Sequence, residues 1–300
     1  MKVIKNYQLT SSWRATGTAQ WNHAVTKDGK EWFIKQFLKP TYVEPGEGIT
    51  ESLLRVSHER CAAFRKEKEM LYSRIRAADT GNVVGVTDFF LHGSHFYAVS
   101  PWVPAADIKA EQVASLPESE RLLLLRILCH CVKSIHGHGV VHADLKPDNI
   151  IIKQTATGGL TMKLIDFEAS FPEEFPPDGE HIVFDAVFVA PETLISLAGE
   201  PFPLSTKLDI FALGLLFHLY YTGALPQIPS DCQYAAEVAL KGREIQLSST
   251  LPEGLKTLIE RMLNVDPDER PDSAEVFEYL RLKIDTSSNS SSLLLPPPPL

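Results

Sequence analysis

Cysteine is scarce. The 300 residues hold four, Cys61, Cys129, Cys131 and Cys232, too few and too unevenly spaced for a secreted disulfide framework. A reducing cytoplasm is the expected compartment. No apolar run approaches the ~18 residues that a membrane span needs, so no membrane association is expected. The opening MKVIKNYQLTSS has no long apolar core of the secretory kind. Positive charge is also short. Lys and Arg number 29 against 38 Asp and Glu, for a formal net charge of −9. That balance argues against nucleic acid as a partner, because a phosphate backbone calls for basic patches. Glycine is thin near the start, where Arg14 to Ala19 contains only Gly17. What remains is an ordinary globular composition, 44% apolar and 22% charged. At ~150 residues per domain the length suits one two-lobed domain with a sizeable core. Cys129, Cys131, His136 and His138 lie close in sequence, but two thiols two residues apart on a helix point about 200° apart. Packing, not metal binding, is their expected role.

Strand patterns open the chain. Tyr7 to Thr10, Trp13 to Val25 and Glu31 to Phe37 read as strands, with an Asp-Gly turn at 28–29. Residues 38–60 are punctuated by Pro and Gly and read as an insertion before a helix marked by Cys61, Phe64, Met70, Leu71 and Ile75. Residues 83–103 read as further strands, and 118–136 as an all-round apolar, buried helix ended by Gly137 and Gly139. From Asp285 the sequence turns to Ser, Asn and then poly-Pro, the composition of a disordered tail or linker.

The stretch VHADLKPDN, Val141 to Asn149, organises the rest. It is a short loop between a helix and a strand that brings an Asp, a Lys and an Asn to one point. Asp144 is able to accept a proton from an attacking hydroxyl, Lys146 to neutralise a transferring phosphoryl group, and Asn149 to reach a metal. Phosphoryl transfer needs such parts, because there the protein mostly positions groups and offsets charge. The plain alternative is a polar turn before a buried strand.

This stretch resembles the catalytic loop of protein kinases, H-R-D-L-x-x-x-N, with Ala143 in place of the Arg. Asp166-Phe167-Glu168 resembles D-F-G, with Glu168 for the Gly, and follows Asp144 at the family's spacing. Ala190-Pro191-Glu192 resembles the A-P-E that closes an activation segment. Asp209 to Gly214 resembles the helix that braces the catalytic loop, and Arg270 stands where the family pairs an Arg with the A-P-E Glu. In the strands, Trp32 to Lys35 occupies the place of V-A-I-K, with Phe33 where the family has a small residue. Two features of the switch region are absent. Ala143 removes the Arg that receives an activating phosphate, and residues 171–192 contain no Ser, Thr or Tyr; Asp185 stands at the usual Thr.

The resemblance implies an α+β, bilobal kinase fold: a β-rich N-lobe at 1–103 with the insertion at 38–60, a helical C-lobe at 104–284, and a tail at 285–300. It implies ATP and Mg²⁺ as cofactors and transfer of the γ-phosphoryl group to Ser or Thr of a protein substrate. Lys35 would hold the phosphates, oriented by Glu67. Gly17, Pro101, Val103 and Asp107 would contact the nucleotide, with Pro101 and Val103 in the hinge. Asn149 and Asp166 would hold the metal, Asp144 would orient the hydroxyl, and Lys146 would neutralise the transferring phosphoryl group. Regulation, if any, is expected from the insertion at 38–60, from the tail or from a regulatory partner protein. Two alternatives are a pseudokinase serving as nucleotide-binding or scaffold module, and a small-molecule kinase of the aminoglycoside type.

Overall fold

The structure, a computed structural model, describes residues 2–16, 19–106, 108–178 and 184–292, with side chains given except at Thr16 and 285–292. Two compact units emerge: Met1–Asp79 with Val84–Pro104, and Thr80–Val83 with Ala105–Leu300. One is strand-rich and the other helical, the α+β division that the sequence implies. Among the described residues no helix is long and apolar enough to cross a membrane.

The strand-rich unit is one seven-stranded sheet. Its strands are β1 (Val3–Ile4), β2 (Tyr7–Leu9), β3 (Arg14–Thr16), β4 (Ala19–Val25), β5 (Glu31–Phe37), β6 (Asp88–His92) and β7 (His95–Pro101). The order is β1-β2-β4-β5-β7-β6, with β3 on β4, and every pairing is antiparallel. The expected hairpin joins β4 to β5. Gly29 takes φ 78° there and donates to Thr26 O at 2.9 Å, a conformation in which a Cβ is strained.

Alternation gives the sheet two faces. One packs Ile4, Tyr7, Leu9, Ala24, Ile34, Tyr97 and Val99 into a core, flanked by Trp13, Trp32 and Phe90. The other receives α1 (Glu51–Ala77) through rings. Phe64 lies 5.2 Å from both Phe37 and Phe96, and Tyr72 lies 5.4 Å from Phe89. The expected insertion at 38–60 is therefore too long: α1 begins at Glu51. Thr50 is the reason, since its side chain accepts from Leu53 N and caps the first turn. The preceding loop is bound along α1, where Ser57 Oγ donates to Thr41 O and accepts from Val43 N.

The helical unit is built on α2 (Glu118–His136) and α4 (Lys207–Thr222). From Leu208 to Tyr221 every residue of α4 is buried. Gly214 permits that packing, because a Cβ there would sit 3.1 Å from Leu263 Cδ2 and Met262 Cβ. Around these helices lie α3 (Pro191–Leu197), α5 (Ala235–Leu240), α6 (Glu253–Met262) and α7 (Ser273–Ser292). The backbone of α7 continues to Ser292, so the expectation of a disordered tail from Asp285 is corrected over 285–292. Two small ladders frame the loop of interest, β8 (Val140–Val141) with β11 (Phe171–Pro172) and β9 (Ile150–Gln154) with β10 (Leu160–Leu164).

Candidate active site

The loop from His142 to Asn149 is held from beneath by one carboxylate. Asp209, fully buried on the first turn of α4, accepts from His142 N at 2.7 Å and Ala143 N at 2.9 Å, and its Oδ2 lies 2.9 Å from His136 Nε2. The other ring nitrogen of His136 meets Ser273 Oγ at 3.1 Å. This clamp holds Ala143 at φ 66°, a left-handed conformation that costs a non-glycine residue ~1–2 kcal/mol and persists where the surroundings over-determine it.

His142 faces inward and is fully buried. Its Nε2 donates to Ile165 O at 3.1 Å while Nδ1 accepts from Asp144 N at 3.3 Å. Burial pushes its pKa below the ordinary histidine value, against the pull of Asp209. Both ring nitrogens serve as struts for the neutral ring. Ser170 Oγ donates to His142 O at 2.9 Å, which closes the loop onto the start of β11.

The three polar residues converge as the sequence implies. Lys146 Nζ reaches Asp144 Oδ1 at 2.9 Å and Oδ2 at 2.8 Å. Asn149 Nδ2 donates to Asp144 O at 2.7 Å and Oδ2 at 2.8 Å. Burial pulls the Lys146 ammonium down, but the hydrogen bond and charge of Asp144, with Asp185 and Asp148 behind them, outweigh it and leave the pKa raised. Asp185 Oδ2 stands 3.8 Å from Lys146 Nζ, and its Oδ1 accepts from Val187 N at 2.9 Å.

Asp166 is brought to Asn149 by the β9–β10 ladder. Ile165 N donates to Asn149 O at 3.0 Å, so the residue before Asp166 is bonded to Asn149 itself. Asp166 takes φ 58° and accepts from Glu168 N at 3.3 Å. Because the Asn149 amide nitrogen is spent on Asp144, its Oδ1 has no hydrogen-bond partner among the described residues. An amide oxygen beside a carboxylate is a hard-oxygen set that fits Mg²⁺, which completes its shell with water and substrate oxygens. Among the described residues no group of three His, Cys, Asp or Glu is arranged to hold a metal.

In the strand-rich unit Lys35 lies in β5 and is 5% exposed. Glu67 is not brought to it. The Glu67 side chain is 59% exposed and its ion pair is with Lys68 Nζ at 3.7 Å. Lys68 is the buried charge on that turn of α1. The reason is helical phase: Cys61, Phe64, Lys68, Leu71 and Ile75 share the inward stripe, and Glu67 sits about 100° away. Pro101 ends β7, opposite Trp32, and Trp102 N donates to Glu31 O at 3.1 Å. Val103 follows, half-buried, and its backbone makes no hydrogen bond with a described residue. Gly17 and Asp107 lie outside the described residues.

The closing motif is also assembled. Glu192 and Arg270 form a bidentate pair, both contacts at 2.8 Å, with each residue 2% exposed. The sequence model of the protein kinase domain matches residues 54–280, well over half of the chain. The chain belongs to the protein kinase domain family. Among relatives of this kinase domain are the ovarian-specific serine/threonine-protein kinase Lok of Drosophila melanogaster and the serine/threonine-protein kinase PkaA of Streptomyces coelicolor. Lok is 29% identical over 201 residues, covering 65% of this chain and 42% of that protein. PkaA is 28% identical over 251 residues, covering 80% and 44%. Human ribosomal protein S6 kinase alpha-1 is 26% identical over 226 residues, covering 72% and 30%. The kinase chain thus spans less than half the length of these relatives.

Sequence reasoning did not find the roles of His136, His142 and Ser170. A signal existed for His142, which opens the motif, but its neutral bridging role depends on Ile165, 23 residues on and just past the end of β10. Glu173, which accepts from both the backbone and the hydroxyl of Thr206 at 3.0 Å, had no local signal.

Proposed function

We propose that the chain is an ATP- and Mg²⁺-dependent protein kinase that transfers the γ-phosphoryl group to Ser or Thr hydroxyls. The observation that carries this reading is the Asp144–Lys146–Asn149 cluster, with Asp166 tied to it through Ile165. Asp144 is held in one orientation by Lys146 and Asn149 and offers its carboxylate to an acceptor hydroxyl. Lys146 supplies positive charge beside that carboxylate, where charge on a phosphoryl group would develop. Asn149 and Asp166 would hold Mg²⁺, which when bound offsets the charge of the phosphates. Lys35 is the candidate for the phosphates on the strand-rich unit, and the unpaired backbone groups of Val103 suit a nucleobase. The choice of Ser or Thr rests on Lys146 within D-L-K-x-x-N and on the names of the relatives.

The test is calorimetry of the full chain with ATP, with Mg²⁺ and then with EDTA. Tighter binding with Mg²⁺, and loss of that increment in Asp166→Ala, are expected. Equal affinity in both conditions counts against the metal assignment.

A second reading, a pseudokinase that binds or scaffolds without transfer, draws on one observation: Glu67 is turned from Lys35 toward solvent. Detectable phosphoryl transfer by the purified chain excludes it. The aminoglycoside-type alternative is disfavoured by the Ala-Pro-Glu segment, its Arg270 partner and the Asp209 clamp.

A further inference from the structure

We propose that Asp185 restrains Lys146: its carboxylate takes a share of the ammonium charge that the transferring phosphoryl group needs, and so holds the turnover of this chain below what the loop alone would reach. This rests on the kinase reading above and adds a positioning residue that acts through Lys146.

Local bonds fix Asp185 in that role. Its Oδ1 accepts from Val187 N at 2.9 Å, and its backbone oxygen accepts from Phe188 N at 3.2 Å. The turn so closed leaves Oδ2 facing Lys146 Nζ at 3.8 Å. The same ammonium holds both oxygens of Asp144, at 2.9 and 2.8 Å. Asp144, Asp185, Phe184 and Phe188 line one cavity. Asp185 therefore borders the space beside the carboxylate that receives the acceptor hydroxyl. Solvent reaches the contact, since the Lys146 and Asp185 side chains are 23% and 33% exposed.

Three carboxylates thus act on one cation. Burial works against the charge of Lys146, and Asp144, then Asp185 and Asp148, outweigh it. A cation shared in this way is firmly held in its charged form but offers less potential to a newcomer. In the transfer the bond from the γ-phosphorus to the ADP oxygen breaks, a bond to the acceptor oxygen forms, and the hydroxyl proton goes to Asp144. Lys146 stabilises the negative charge on the moving phosphoryl group, and a fixed anion beside Lys146 opposes it. A neutral side chain at 185 would remove that opposition. The family usually has a Thr at this place, so the anion is a departure of this chain.

The experiment measures kcat and both KM values of the full chain with γ-labelled ATP, Mg²⁺ and a generic basic protein as acceptor. Wild type is compared with Asp185→Asn, which keeps an oxygen for Val187 N and loses the charge, and with Asp185→Thr, which supplies the family's neutral hydroxyl. Asp178→Asn is the control, because it removes a charge exposed on the same segment. Both variants at 185 should raise kcat about 1.5- to 5-fold, the range for one partly exposed ion pair, with the KM for ATP unchanged. Asp178→Asn should match wild type. Damage to the fold lowers kcat, so a rise separates lost restraint from lost structure. A kcat at or below wild type in Asp185→Thr, with its denaturant midpoint unchanged, overturns the restraint and leaves the kinase reading standing. So does an equal rise in Asp178→Asn. Transfer by neither wild type nor the variants overturns both readings.

Discussion

Asp144 accepts three side-chain contacts, two from Lys146 and one from Asn149, and all three residues come from one six-residue stretch. That is why the loop was legible in the sequence: its geometry is local, and its donors and acceptor are neighbours in the chain. Glu67 was not legible by the same route. Matching it to the family left open which way the side chain points. Its direction is set by Phe64 packing on Phe37 and Phe96, contacts that lie far away in sequence. The stripe of Cys61, Phe64, Leu71 and Ile75 did contain the clue, because position 68 falls within it and position 67 does not. Glu67→Gln should therefore change stability by less than ~0.5 kcal/mol, as for an exposed pair, and should leave the phosphorylation rate nearly unchanged. A fall of a hundredfold or more in kcat, with folding intact, would show that the working enzyme turns Glu67 onto Lys35. Chemical denaturation and initial rates on the same protein make the measurement.

At the level of elements, the end of the activation segment is anchored by one buried pair. Glu192 on α3 and Arg270 after α6 are both buried, and Arg270 also donates to Asn264 O at 2.8 Å and Lys207 O at 2.9 Å. Removing one partner strands a charge in the interior. Arg270→Ala should lower unfolding stability by ~3–5 kcal/mol, read from the denaturant midpoint; a loss below 1 kcal/mol would contradict the buried pair. This pairing was legible because two short motifs, far apart, carry it. The α1 start was not, because Pro and Gly at 40–48 masked a cap that only Thr50 reveals. Regulation belongs to this scale too. Residues 171–192 have no hydroxyl, and the flanking Ser170 and Thr193 are buried. Asp185 places a fixed negative charge near Lys146 where a phosphorylatable residue is usual. Activity should not await phosphorylation of this segment. Phosphatase treatment, followed by its removal, should leave the initial rate unchanged, and Ser170→Ala should show no lag. A large loss that preincubation with ATP restores would contradict this.

For the whole molecule, the ordered motifs carried the resemblance to the family, and that resemblance implied the α+β class. How far α7 extends into the Ser and Asn stretch escaped; Asp209 was expected to brace the catalytic loop, but its contact with His136, and through that ring with Ser273, was not. The clamp joins α2, the catalytic loop, α4 and α7 through single side chains, and no local pattern encodes such a convergence. The central claim is that this arrangement transfers phosphoryl groups with Asp144 as the group that receives the hydroxyl proton. It is tested most directly with γ-labelled ATP and Mg²⁺, following label into a generic basic protein and into the chain itself, for wild type beside Asp144→Asn. Incorporation by wild type is expected, with a fall in kcat of at least ~10² in the variant, the lower end for a positioned acid–base group, and nucleotide affinity little changed. No incorporation by wild type, or equal incorporation by both proteins, would contradict it.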